Sequence, residues 1–160
     1  MKVYIRGHRV GEGFVGKLIG WFTWGRYKHV SMAFVQDDGT VRGFQSNSKH
    51  GVHFFMWEDL PDTDLFEVPC TDEQAYAMLD AAKKIVGAGY DYKGLWSFLV
   101  RKKRDHPDKW FCSEAAAFVV HAGGVILQRL PFFKQSPVLV CASIAITPRP
   151  GLMLQKHKPE

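Results

Sequence analysis

The chain has 160 residues, 46% of them hydrophobic and 23% charged, a balance that excludes disorder, a collagen-like repeat and a disulfide-rich scaffold and suits a single domain over 1–160. Its net charge of +5 sits late in the chain: residues 1–100 carry 11 basic and 12 acidic side chains, residues 101–160 carry 10 and 4. The densest basic point, Arg101-Lys102-Lys103-Arg104, is of a kind more often solvated than bound to phosphate, so no nucleic-acid partner is expected.

In chain order, residues 2–6 alternate charged and apolar side chains and predict a strand. The interrupted charge there, and the absence of any apolar run near the roughly 20 residues of a membrane span, leave no secretory signal and no transmembrane segment, so a cytoplasmic location is expected. Phe14, Val15, Leu18, Ile19 and Phe22 recur at helical spacing over 13–24, with Gly25 as a stop. Residues 30–35 and 41–46 flank Asp37-Asp38-Gly39 and give the best hairpin signal in the sequence. Two more strands are predicted at 52–57 and 65–68.

Thr71-Asp72-Glu73-Gln74 matches a capping box, and Ala75, Met78, Leu79, Ala82, Ile85 and Val86 then repeat at steps of three and four until Gly87. Tyr90-Asp91-Tyr92 reads as a loop, 95–103 as a helix, and 105–109, which contains Pro107, as another loop. Residues 113–120 form a strong helix signal that ends at Gly123-Gly124, while 137–146 is apolar and ambiguous between helix and strand. Strands first and helices after predict an α+β fold, a mostly antiparallel sheet packed with helices.

Among three cysteines, none in a C-x-x-C, Cys112 directly precedes a predicted helix, where unpaired amides and the helix dipole favour a thiolate. Cys70 is a weaker second candidate, and Cys141, inside an apolar run, reads as core. Of seven histidines, His29 stands at the edge of the first hairpin strand, where one ring nitrogen can face a site. A three-residue loop 37–39 with Gly39 left-handed would set Gln36 against Thr40, Ala33 against Gly43 and Ser31 against Gln45. It would place Gln45 on the face of His29 and leave that face lined by small side chains for the Cys112 helix to approach; a two-residue turn would send Gln45 to the other face. His50 and His53, three apart in a strand, would point to opposite faces, so a metal pair has little support. No nucleotide-binding glycine loop is present.

A tyrosine-containing segment running into His29-Val30-Ser31, a second strand with a polar residue at Gln45, Tyr90-Asp91-Tyr92, then Trp110-Phe111-Cys112-Ser113-Glu114 opening a helix, and Ser136-Pro137 together resemble the YiiX-like family. That family belongs to the circularly permuted branch of the NlpC-type papain-like hydrolases, in which the histidine precedes the cysteine. The resemblance covers residues 3 to about 146, with Phe111-Cys112-Ser113-Glu114 its most specific part. It implies a papain-like core, with Cys112 as nucleophile, His29 as base and Gln45 as the third polar residue, where many members carry an acid. Glutamine orients an imidazole without supplying charge. The chemistry so implied is a cysteine amidase or peptidase forming an acyl-enzyme from an amide, ester or thioester, cell-wall peptide included, with no cofactor and no metal. Its partners would be small-molecule, peptide or lipid-like acyl substrates. Lipid acyl transfer at a membrane surface, suited to Trp21, Phe22 and Trp24, and a binding module without turnover are the alternatives.

Overall fold

The computed structural model describes residues 1–9, 26–91, 108–127 and 134–146. The strands are β1 (Lys2–Arg9), β2 (Tyr27–Val35), β3 (Val41–Asn47), β4 (Gly51–Met56) and β5 (Thr63–Glu67). They form one antiparallel sheet in the order β4-β3-β2-β1-β5. Helix α1 (Asp72–Ile85), the two-residue strands β6 (Gly89–Tyr90) and β7 (Lys109–Trp110), and helices α2 (Cys112–Ala122) and α3 (Pro137–Ile146) follow, so the fold is α+β. Among the described residues, no helix is long and apolar enough to cross a membrane. The helices expected over 13–24 and 95–103, and the basic run 101–104, lie outside the described residues.

The central hairpin has the three-residue loop. The Gln36 amide donates to Thr40 O at 2.9 Å, Gly39 takes φ 83°, and Met32 and Ala33 pair with Phe44 and Gly43. The left-handed residue closes the loop and sets every later pair on these strands. Strand β1 is longer than its alternation suggested, because His8 and Arg9 continue pairing with His29 and Tyr27 across a bulge. The bulge turns Tyr27 toward the face opposite His29, where its hydroxyl donates to Asp64 Oδ2 at 2.8 Å.

One face of the sheet is apolar. The registers put Val3, Ile5, Val30, Met32, Phe34, Phe44 and Val52 on it, all buried. Against them pack Ala75, Met78 and Ala82 of α1, Ala115, Ala116, Val119 and Val120 of α2, and Val140 and Cys141 of α3. Helix α1 starts at the expected capping box: the Gln74 amide donates to Thr71 Oγ1 at 3.3 Å and the Thr71 amide to Gln74 Oε1 at 3.0 Å.

Two elements differ from the sequence reading or resolve it. The stretch 137–146 is a helix because Ser136 caps it, its Oγ accepting from the Leu139 amide at 3.2 Å, with Pro137 in the first turn where a missing N–H costs nothing. The expected loops at 90–92 and 105–109 instead contribute a short parallel bridge, Gly89 with Lys109 and Tyr90 with Trp110. Two residues carry no periodic pattern, so a pairing this short comes from tertiary placement alone. Residues 92 and 105–107 lie outside the described residues.

Candidate active site

The site lies where β2 and β3 part. Their ladder stops at Met32 and Phe44, although β3 goes on pairing with β4 as far as Asn47 and Gly51. The next hydrogen-bonded pair would be Val30 with Ser46, since Gln36 and Thr40 are such a pair and these alternate along an antiparallel ladder. Neither of the two residues completes it. The Val30 amide points to Cys112 Sγ, and Ser46 Oγ donates to Trp110 O at 2.6 Å. Segment 110–112 therefore occupies the fork and is held from both strands, which brings the first residue of α2 to the strand carrying His29.

Cys112, 7% exposed, is the first residue of α2. The start of that helix is tied down twice more: the Phe111 amide donates to Glu114 Oε2 at 3.4 Å, and Ser113 Oγ donates to Gln135 O at 2.6 Å, joining it to the approach to α3. Burial raises the cost of charge on the Cys112 thiol. Even so its pKa lies below the ordinary range, because the charge of His29, a hydrogen bond from His29 and the amides of Val30 and Ser113 all favour the thiolate. Burial likewise opposes charge on His29, yet its pKa is raised, by the Cys112 thiolate, the hydrogen bond to it and a bond to Gln45. The opposite directions are those of one coupled pair, in which the charged form of each partner favours the charged form of the other.

A directed chain of hydrogen bonds runs from His29 away from the cysteine. His53 Nδ1 lies 3.0 Å from Gly51 O, which only accepts, so Nδ1 carries the proton. Its Nε2 then accepts from Gln45 Nε2 at 3.3 Å, which turns Gln45 Oε1 to His29 Nε2 at 2.9 Å. His29 Nε2 is thereby fixed as the donor to Gln45, and Nδ1 is left for the thiol. Gln45 is on the face of His29, as the three-residue loop required. The β3–β4 register, which pairs Gln45 with His53, is what brings His53 to the site.

The expected approach of the Cys112 helix over the small-residue face needs correction. Helix α2 packs on the apolar face, and only its first residue reaches His29 through the fork. The small residues serve another purpose: a Cβ on Gly43 would come within 2.6 Å of the Phe55 ring, so Phe55, stacked on Trp57 with centroids 6.0 Å apart, fills that surface. The other cysteines take other places. Cys70 is half-buried and packs against the core, while burial pushes the core Cys141 thiol far above its usual pKa.

The premise applied to His50 and His53 also fails. His50 sits in the turn before β4, where strand alternation does not hold, and the two rings meet edge-on with centroids 5.3 Å apart. Among the described residues, no group of three or more His, Cys, Asp or Glu side chains is placed to hold a metal ion. In comparison with known proteins, the chain matches no family model and no curated sequence.

Proposed function

We propose that the chain is a cysteine hydrolase of the permuted NlpC-type papain-like kind, resembling the YiiX-like family, which cleaves an amide, ester or thioester through an acyl-enzyme on Cys112. The observation that carries this reading is geometric: Cys112 opens a helix with its sulfur hydrogen-bonded to His29 and to the Val30 and Ser113 amides, and the His29 ring is held on its other side by Gln45. The thiolate attacks the acyl carbon and forms the C–S bond. His29 gives its proton to the departing amine, alcohol or thiol as the bond to it breaks. Neutral His29 then takes a proton from water, whose oxygen attacks the thioester carbon; the C–S bond breaks, the acid leaves, and the Cys112 thiolate is restored beside protonated His29. In this reading the Cys112 amide, at the helix start, is the donor assigned to the oxyanion, since the Ser113 and Val30 amides serve the sulfur. Gln45 holds the ring in orientation through the cycle. Incubation with a panel of acyl electrophiles differing in leaving group, read by intact mass and peptide mapping, tests the reading. One acyl adduct on Cys112 that turns over is expected; no adduct on Cys112 from any member of the panel would reject it.

A further inference from the structure

Beside His29, on the same face of the sheet, lies a side chain that the chemistry above does not use. Arg6 pairs with Ser31, and the next outward pair on that face is His8 with His29. Strand geometry then separates the Arg6 and His29 backbones by roughly 8 Å. Arg6 is 1% exposed, and its Nη1 and Nη2 are buried without a hydrogen-bond partner among the described residues. Trp57 lies over it, the guanidinium carbon 3.2 Å from the indole centroid. A guanidinium forms its hydrogen bonds in its own plane, at the fork of its nitrogens, so a ring over its face leaves the fork unanswered.

Burial pulls the Arg6 guanidinium down to about 10, and the charge of Asp59 offsets only part of this. His8, its Nε2 3.0 Å from Ser31 Oγ, is pushed down to about 3 by burial and then by the positive charges of His29, Arg6 and Lys28. A buried charge with unpaired donors is among the costliest arrangements in a folded chain. The fork matches the two oxygens of a carboxylate or phosphate.

We propose that Arg6 binds an anionic oxygen group, a carboxylate or a phosphate, on the acyl substrate whose carbonyl is attacked by Cys112. The inference rests on the acyl-enzyme reading and adds the substrate class: an acyl chain that carries a negative charge beyond its carbonyl. The uncharged substrates of the same length that a plain apolar groove would accept are disfavoured, because they leave the fork unpaired.

The test compares 4-nitrophenyl esters of succinic and glutaric acid, and of 3-phosphonopropionic acid, with their neutral methyl esters, in the parent protein and in Arg6→Met and Arg6→Lys. The rate of Cys112 acylation is read by 4-nitrophenol release and intact mass. In the parent, the anionic ester is expected to react at least about tenfold faster than its neutral partner, the gain from a bidentate charged contact. That ratio should fall toward one in Arg6→Met and stay between the two in Arg6→Lys. The better of the carboxylate and phosphonate series identifies the anion. No preference in the parent, or one that survives in Arg6→Met, overturns the proposal.

A second measurement does not need the chemistry. In Cys112→Ala, succinate or inorganic phosphate should raise the melting temperature above that in chloride of equal ionic strength, and should not do so in Cys112→Ala/Arg6→Met. If no ester acylates Cys112, the acyl-enzyme reading fails, and the melting shift still decides whether Arg6 holds an anion. Arg6→Met should melt at or above the parent, because an unpaired buried charge gives way to an unbranched apolar chain. If it does not fold, Arg6→Lys carries both measurements, with a reduced ratio and a reduced shift expected, and unchanged values refuting the proposal.

Discussion

Replacing Gln45 by alanine removes the 2.9 Å bond to His29 Nε2 and leaves the fold of β3 in place. A neutral hydrogen bond has a net worth of about 0.5–1.5 kcal/mol, and one from a charged donor about 1.5–3 kcal/mol. The bond therefore favours the imidazolium over the imidazole by on the order of 1 kcal/mol. Losing it should lower the His29 pKa and slow Cys112 alkylation by roughly two- to tenfold as the ring loses its orientation. Glutamate at 45 keeps the acceptor and adds a charge, so it should hold or raise the rate and move the loss of the His29 proton to higher pH.

The assay is the second-order rate constant for iodoacetamide at Cys112 as a function of pH, with peptide mapping to separate it from Cys70 and Cys141. Folding is followed by melting temperature, and Gln45→Ala should stay within a few degrees of the parent. A Gln45→Ala protein with the parent's rate and the parent's pH profile would show that His29 is not oriented from this side, and the hydrogen-bond chain would lose its role in the mechanism.

Other outcomes follow from the same geometry. His53→Phe removes the acceptor that fixes the Gln45 amide, so it should lower the alkylation rate less than Gln45→Ala does, and the double variant should be no slower than Gln45→Ala alone; additive effects would separate the two residues. His8 is neutral in the folded chain down to about pH 3, whereas an unfolded histidine takes its proton near pH 6.5. Its folded pKa is depressed, so its contribution is full above about pH 6.5 and is lost as pH falls toward about 3, at roughly 1 kcal/mol per pH unit after solvent screening. Denaturant midpoints at about pH 7 and about pH 5 should therefore differ less in His8→Gln than in the parent. Ser136→Ala should cost about 1 kcal/mol through loss of the α3 cap, read from the urea midpoint, and an unchanged midpoint would remove the capping explanation for that helix.

Local chemistry made much of this arrangement readable from sequence. The loop 37–39 states its own geometry through Gly39, and that one turn fixes the pairing of Ala33 with Gly43 and the face of Gln45. The capping box of α1 and the position of Cys112 ahead of a helix are likewise short-range signals. What escaped depends on contacts between distant segments. The direction from which α2 approaches is set by the apolar residues at even positions of β2, and the small residues on its other face make room for Phe55 from β4. Arg6 sits at a position that alternation alone assigns to water, yet it is buried under Trp57, a contact across 51 residues. The fork between β2 and β3 leaves no mark on the periodicity of either strand. Segment 110–112 fills it, with the Val30 amide directed at the Cys112 sulfur and Ser46 Oγ donating to Trp110 O. The helix at 137–146 was legible in principle, through Ser136 and Pro137, but its uniformly apolar sequence hid the period.

The claim on which the rest depends is that Cys112 and His29 share a charge-separated state in the resting protein. The ultraviolet absorbance of the thiolate, titrated in the parent and subtracted from the same titration of Cys112→Ser, measures it without any reagent having to enter the site. The account expects the Cys112 thiolate to form below the ordinary cysteine pKa of about 8.5, and this early ionisation to be lost in His29→Ala. A Cys112 that ionises only near the ordinary value, or one whose titration is the same with and without His29, would contradict it.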